Sequence, residues 1–211
     1  MKKITKIEFQ KKNQGRYSIY IDGEFAFGVH EDILVQHSLR KGMELDEEQI
    51  ELIGESEKYK KAYMYGINLL SYKMRTEKEL EDKMREKEHG EEAIEDAISK
   101  LRQKGYVDDE KYAIMYANEK MNKKSSGRKL VSHKLRQKGI DSEIANLAIE
   151  EVSSEEQEYE QALEAAVKKM NTTYRNDDKN AAYRKLGGYL SRRGYPYSVV
   201  SRVLREVLKN R

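Results

Sequence analysis

The sequence predicts a mainly α protein, with three tandem three-helix repeats in an elongated, curved array and a small N-terminal antiparallel β meander. Three observations lead to this prediction. Apolar residues recur every three or four positions from Ser56 onward, as in amphipathic helices. Alternation of apolar and polar residues, the pattern of half-buried strands, is confined to residues 1–30. The 211 residues include a single proline, which suits a chain that is helical over most of its length.

The N-terminal domain is predicted to span residues 1–55 and to begin with three strands. The runs ITKIEF, RYSIYID and EFAFGV alternate apolar and polar residues. Asp22-Gly23 joins the second and third runs and is a strong hairpin signal, because both residues tolerate positive φ. One or two short helices are predicted to follow over Glu31–Ile53, EDILVQHSL and DEEQIELI, split by Lys41-Gly42 and with Asp46 as an N-cap.

Nine helices are predicted from Ser56 to the C-terminus, and the first of them covers Glu57–Tyr72. Two pairs of residues have the spacing of a capping box: Thr76 with Glu79, and Ser154 with Gln157. The other predicted N-caps are Asp108 or Asp109, Ser125 or Ser126, Asp141, and Asn176 or Asp177. Among the side chains assigned to buried stripes are Tyr112, Met115, Tyr159, Val167 and Tyr183.

A recurring pattern divides these helices into three units. A leucine or methionine precedes a glycine, and two apolar residues one helical turn apart follow it. The three glycines, Gly90, Gly139 and Gly194, lie roughly 50 residues apart, a period typical of helical repeats. The predicted repeats are residues 57–105, 108–152 and 154–208.

No pattern of catalytic residues is evident. The chain has no cysteine, and its four histidines share no metal-ligand spacing. Walker, GxGxxG, GxSxG and HExxH motifs are absent from the sequence. We therefore expect no enzyme activity, no metal and no cofactor. No apolar run reaches the ~20 residues that span a bilayer, and the N-terminus lacks the apolar core of a signal peptide, so a cytoplasmic protein without membrane contact is predicted.

Charge is segregated along the chain. Residues 120–140 contain eight basic residues and no acid, whereas residues 141–160 contain eight acids and no base. Residues 184–211 are again basic. Such segregation indicates contact with a polyanion or a charged protein surface, and the alternative is a set of solvated helix faces. The candidate contact residues are Lys120, Lys123, Lys124, Arg128, Lys129, Lys134, Arg136, Lys138, Arg192, Arg193, Arg202 and Arg205.

Two further features are candidates for contacts. Ser125, Ser126 and Gly127 precede a predicted helix, whose first backbone N–H groups can hold a phosphate or a carboxylate. The alternative is that the serines only cap the helix. Tyrosines beside basic residues at the ends of elements are candidates for a contact surface: Tyr72, Tyr106, Tyr195 and Tyr197.

Four sequence motifs occur in the same order and with the same spacing as in a known protein family. They are RTEKEL at Arg75–Leu80, GYVDDEKYA at Gly105–Ala113, KSSGRKLVSHKLRQKGI at Lys124–Ile140 and YLSRRGYPYSVV at Tyr189–Val200. With these motifs the chain resembles the RecX family of RecA regulators. The resemblance implies tandem three-helix repeats without enzyme activity. It also implies binding along the groove of the RecA–single-stranded-DNA filament, with less filament growth, ATP hydrolysis, strand exchange and co-protease action.

Two functions are therefore considered. The first is a regulatory protein that binds the RecA–single-stranded-DNA filament and inhibits RecA in DNA recombination, DNA repair and the SOS response. The alternative is a helical-repeat protein that binds single- or double-stranded DNA directly and does not depend on RecA. In either case we expect a monomer.

Overall fold

A computed structural model describes residues 1–11, 13, 15–123 and 126–209 of the chain. The chain forms two compact units. The first comprises Met1–Met74 and Leu80–Val107, and the second comprises Arg75–Glu79 and Asp108–Arg211. Within the described residues, no helix is long and apolar enough to cross a lipid bilayer.

The first unit begins with a four-stranded antiparallel sheet in the order β3-β2-β1-β4. Its strands are β1 (Lys2–Phe9), β2 (Arg16–Ile21), β3 (Glu24–His30) and β4 (Glu44–Leu45). The three predicted strands are confirmed, and so is the turn at Asp22-Gly23, where φ is +50° and +93°. Strand β4 was not predicted, because two residues are too few to show an alternating pattern and only their pairing with Lys2 and Lys3 of β1 defines them.

Two helices follow these strands, α1 (Glu31–Gln36) and α2 (Glu47–Tyr72). The prediction of separate helices on either side of residue 56 is wrong, because α2 is continuous over 26 residues. Gly54 does not interrupt it, since an exposed glycine inside a helix costs only about 1 kcal/mol relative to alanine. The capping box of Asp46 and Gln49 starts the helix. The predicted domain limits divide this single helix, and they stay a prediction.

A buried carboxylate joins α2 to the sheet. Glu57 is 5% exposed, accepts a 2.6 Å hydrogen bond from the guanidinium of Arg16 and accepts a 2.8 Å bond from the backbone N–H of His30. The charge therefore lies inside the unit with its partners in place, and loss of one partner leaves an uncompensated buried charge.

Helices α3 (Glu77–Glu86) and α4 (Glu91–Gln103) pack with α2 in the first three-helix set. A glycine allows this close approach. A Cβ added to Gly66 would lie 2.7 Å from Cδ1 of Leu101 and 2.7 Å from Cε of Met84, so a larger residue would force these core side chains to move.

The second unit contains two more three-helix sets. The first has α5 (Asp109–Asn118), a π-helical turn (Glu119–Lys123), α6 (Arg128–Gln137) and α7 (Ser142–Val152). The second has α8 (Glu155–Asn171), α9 (Lys179–Arg192) and α10 (Tyr197–Val207). The fold class predicted from the sequence, mainly helical with a small N-terminal antiparallel sheet, is confirmed.

Most predicted helix caps are observed, and two are corrected. The caps that agree are Asp46, Asp108, Asp141 and the two predicted capping boxes. The cap of α9 is Asp178 rather than Asn176 or Asp177, because its carboxylate is the one that accepts from Ala181 N–H. Gly127, not Ser126, occupies the cap position of α6 and makes no side-chain bond. The other predicted serine, Ser125, lies outside the described residues.

Four predictions about burial are wrong. Met115, Val167 and Tyr183 are 44%, 42% and 52% exposed, although they were assigned to buried stripes. Met115 lies two residues after buried Ala113 and therefore points to nearly the opposite side of its helix. Conversely, Tyr195 is 2% exposed, and burial raises its pKa to about 12. The turn at Gly194 directs its ring into the core of the last three helices.

Candidate partner-binding surface

Helix α6 carries the largest group of predicted contact residues. It buries Val131 and Leu135 in the core of its three-helix set. Lys129, Lys134 and Arg136 lie on the exposed side. Because Lys129 and Arg136 are seven positions apart, two helical turns, they project from the same face and are separated by about 10 Å along the helix.

A groove lies between this face and α7. Its volume is about 340 Å³. The lining residues are Arg128, Lys129, Ser132 and Arg136 from α6, and Asn146, Ile149 and Glu150 from α7. Within the described part of the chain, neither Lys129 nor Arg136 forms an ion pair. We call this feature the basic groove. It offers two free cations, a hydroxyl and an amide to an anionic group.

Arg128 has an internal partner instead. Its Nε donates a 2.5 Å hydrogen bond to Glu158, and its backbone N–H donates a 2.7 Å bond to the other oxygen of the same carboxylate. Glu158 is 1% exposed. The N-terminus of α6 thus holds a carboxylate, as the sequence allowed, but the carboxylate belongs to this chain.

Neighbouring backbone groups complete the same contact. The N–H of Gly127 donates to the carbonyl of Arg193 at 2.8 Å, and the N–H of Lys129 donates to that of Gly194 at 3.0 Å. A Cβ on Gly127 would lie 2.4 Å from the carbonyl carbon and oxygen of Gly194. The first N–H groups of α6 are therefore satisfied inside the unit, which leaves the exposed side chains as the groups available to a partner.

Other predicted contact residues are also held by internal partners. Lys138 bonds to Glu79 and lies 5.5 Å from the ring centre of Tyr112. Burial lowers the pKa of Lys138, but its hydrogen bonds to Glu79 and Tyr112 outweigh this effect, and the pKa is raised. Three more candidates have internal contacts: Lys120 with Glu119, Arg193 with the ring of Tyr189, and Arg202 with Glu156.

The structure thus separates the predicted contact residues into two groups. Exposed cations of the second unit that can meet a partner are Lys129, Lys134, Arg136, Arg192 and Arg205. Lys134 also bonds to Gln137 at 3.0 Å, and Arg205 to the carbonyl of Ser201 at 3.3 Å. Lys124 and the side chain of Lys123 lie outside the described residues. Of the candidate tyrosines, Tyr72, Tyr106 and Tyr197 are exposed.

Sequence reasoning missed Glu158. A glutamate within a run of acids has the sequence signature of a solvated residue, and its partner Arg128 lies 30 positions earlier. The one available signal is its position beside Tyr159 on the buried stripe of α8. Ser132 and Asn146 were also missed, because nothing in the sequence indicates that α6 and α7 form a groove.

Comparison with known proteins identifies the family. The profile of the regulatory protein RecX N-terminal domain matches residues 2–46. Profiles of the first, second and third three-helix domains of RecX match residues 62–101, 108–149 and 155–204. Regulatory protein RecX of Clostridium acetobutylicum is 37% identical over 206 residues, which cover 97% of this chain and 95% of that protein. The chain belongs to the RecX family.

Other RecX proteins agree along the chain. Regulatory protein RecX of Oceanobacillus iheyensis is 35% identical over 98% of this chain and 77% of its own length. A crystal structure of regulatory protein RecX superposes with a TM-score of 0.83 at 36% identity and covers 100% of both chains. RecX from Lactobacillus salivarius gives a TM-score of 0.67 at 30% identity over 72% of this chain and 97% of that one. RecX proteins are regulators and not enzymes, so the predictions of three three-helix domains and of no enzyme activity are confirmed.

Proposed function

We propose that this protein binds the RecA–single-stranded-DNA filament in the bacterial cytoplasm and inhibits the recombinase, ATPase and co-protease activities of RecA. Membership of the RecX family supports a regulatory role. The observation that carries the proposal is the basic groove, where the side chains of Lys129 and Arg136 form no ion pair with any residue that the structure describes. A filament of protein on DNA supplies the phosphates that such cations bind.

The basic groove suits a phosphate better than it suits an acidic side chain. Exposed lysine and arginine bind phosphate strongly, and arginine does so with two parallel hydrogen bonds. Ser132 and Asn146 add groups that donate hydrogen bonds to phosphate oxygens. Glu150 on the opposite wall repels phosphate, and this favours a strand that lies along α6 rather than deep in the groove.

The test is the DNA-dependent ATPase of RecA, measured with substoichiometric amounts of this protein. The wild type is expected to inhibit. The double variant Lys129→Ala/Arg136→Ala is expected to need roughly tenfold more protein for the same inhibition, since two phosphate contacts are lost. The matched control Lys58→Ala/Lys83→Ala removes an exposed and a half-exposed lysine of the first unit, which pair at the surface with Glu55 and Glu86. Absence of inhibition by the wild type would refute the proposal.

Direct binding to DNA without RecA is the second candidate, and the same groove favours it. If the five exposed candidates Lys129, Lys134, Arg136, Arg192 and Arg205 all contact phosphates, the logarithm of the binding constant falls with the logarithm of salt concentration with a slope of about −3.5 on single strands. A flat salt dependence, or no binding at low salt, would eliminate this candidate. Inhibition of RecA that survives the loss of naked-DNA binding would favour the first function.

A further inference from the structure

A second groove in the same three-helix set has the opposite character. It lies between α5 and α7, has a volume of about 220 Å³ and shares no lining residue with the basic groove. Its lining residues are Glu110 and Ile114 from α5, and Ile144, Leu147, Ala148 and Glu151 from α7. Leu147 is 60% exposed. We call this feature the apolar groove; it has apolar walls and a carboxylate on each of its two helices.

The last three-helix set contains the same positions. Glu110 stands two residues after the N-cap Asp108, and Glu156 stands two residues after the N-cap Ser154. On the third helix of each set, Leu147 and Arg202 both stand six residues after the cap position. Glu151 and Glu206 both stand ten residues after it. The two acids of the apolar groove therefore correspond to Glu156 and Glu206, and Leu147 corresponds to an arginine.

In the last set that arginine pairs with the first acid and lies on an aromatic ring. Arg202 donates to both oxygens of Glu156 at 2.9 and 3.0 Å, and its guanidinium lies 3.6 Å from the ring centre of Tyr159. The hydroxyl of Tyr159 bonds to Glu206. Hydrogen bonding to Arg202 lowers the pKa of Glu156, and the pKa of Arg202 is raised by the same bond. This fold thus already contains an arginine that pairs with the first of these two glutamates and stacks on the tyrosine that bonds to the second.

The apolar groove lacks this arginine. Within the residues that the structure describes, neither Glu110 nor Glu151 forms an ion pair. Leu147 occupies the position that corresponds to Arg202, and its apolar side chain is exposed to solvent and cannot pair with Glu110. An exposed apolar side chain between two free carboxylates forms a surface complementary to an arginine. The stem of an arginine packs on apolar surface, while its guanidinium binds carboxylate.

We propose that the apolar groove docks an arginine-bearing, otherwise apolar segment of a protein partner, and that the partner's guanidinium takes the position that Arg202 holds in the last three-helix set. Naming the partner as the protein subunit of the filament rests on the proposed function. A nucleic acid does not fit, because phosphates are repelled by both carboxylates. The middle three-helix set would then contact DNA through the basic groove and protein through the apolar groove.

The decisive variant supplies the missing arginine from the chain itself. Leu147→Arg places a guanidinium within reach of Glu110, as Arg202 pairs with Glu156 in the last set, so it should fold normally and block the groove. A second variant, Glu110→Gln/Glu151→Gln, keeps the shape of the groove and removes its charge. The control Glu160→Gln/Glu164→Gln removes two exposed acids of α8 outside the groove.

Binding is measured by pull-down on RecA filaments assembled on a labelled single-stranded oligonucleotide, and in parallel on the same oligonucleotide without RecA. Leu147→Arg and Glu110→Gln/Glu151→Gln are each expected to weaken filament binding about tenfold, the effect of about 1.4 kcal/mol. Naked-oligonucleotide binding should change less than twofold, and the control should match the wild type on both. If Leu147→Arg does not fold by circular dichroism, the glutamine variant decides.

The outcomes separate the two proposals. A wild type that does not bind RecA filaments refutes the proposed function. A wild type that binds, together with groove variants that bind equally well, refutes the docking site alone. Equal losses on filament and naked oligonucleotide would also overturn it, since the groove would then not discriminate protein from DNA. Sedimentation that shows a wild-type dimer dissociated by Leu147→Arg would assign the groove to a second copy of this chain instead.

Discussion

Replacing Glu158 with alanine removes the carboxylate that holds the start of α6. The side chain is 1% exposed and accepts bonds of 2.7 and 2.5 Å from the backbone N–H and the Nε of Arg128. Alanine leaves a buried N–H without an acceptor, at a cost of about 1–3 kcal/mol, and removes a charge-assisted bond of about 1.5–3 kcal/mol. The side chain of Arg128 is 25% exposed and regains some hydration. We therefore expect the free energy of unfolding to fall by about 3 kcal/mol.

Differential scanning calorimetry measures this loss. For a chain of 211 residues, about 3 kcal/mol lowers the melting temperature by roughly 6–12 °C. Glu158→Gln retains one oxygen as a hydrogen-bond acceptor, so its free energy of unfolding should fall by about half as much. The control Glu160→Ala changes an exposed acid on the same helix and should alter the free energy of unfolding by less than about 0.5 kcal/mol.

A double-mutant cycle with Arg128→Ala isolates the pair. The losses of unfolding free energy in the two single variants should add up to more than the loss in the double variant. The difference, the coupling energy, should be about 1–3 kcal/mol. A loss below about 1 kcal/mol for Glu158→Ala, or strictly additive losses, would show that the carboxylate does not stabilise the N-terminus of α6 as argued.

Three further predictions concern stability. Gly194→Ala should cost about 3 kcal/mol in urea unfolding, because φ is +86° and the new Cβ would lie 2.3 Å from Cβ of Leu130; an unchanged midpoint would contradict this. Glu57→Ala should cost about 3 kcal/mol in the first unit, since it leaves Arg16 and a backbone N–H without their buried acceptor; Glu55→Ala, which changes a half-exposed acid of the same helix, is its control. Burial raises the pKa of Tyr195 from 10.0 to about 12, so the folded state keeps this proton longer than the unfolded state. Stability should therefore fall by about 2 kcal/mol as pH rises from 10 to 12, a slope that Tyr195→Phe should remove.

Local features of the fold were predictable from neighbouring residues. The hairpin at Asp22-Gly23 and the capping box of Ser154 and Gln157 depend on contacts within a few positions. Helical periodicity likewise depends on positions three and four apart. These interactions are formed by adjacent parts of the chain, and for this reason the helices from Glu57 onward were found without any knowledge of packing.

The continuity of α2 and the existence of β4 were not predictable in this way. Gly54 resembles a helix stop, and no local signal shows that buried Ile53 and Glu57 hold both sides of it in one helix. Strand β4 exists only because Glu44 and Leu45 pair with Lys3 and Lys2, which lie far away in the sequence. Both features depend on contacts that form only when the unit folds.

The candidate site shows the same difference between what local sequence predicts and what tertiary contacts determine. Composition identifies the basic segment from Lys120 to Lys138, but it does not distinguish a free cation from a paired one. Arg128 is held by Glu158 and Lys138 by Glu79, whereas Lys129 and Arg136 remain exposed. Charge and helix content are properties of the residues themselves. The side chains that stay available to a partner are decided by tertiary structure, because ion pairs form between residues that only folding brings together.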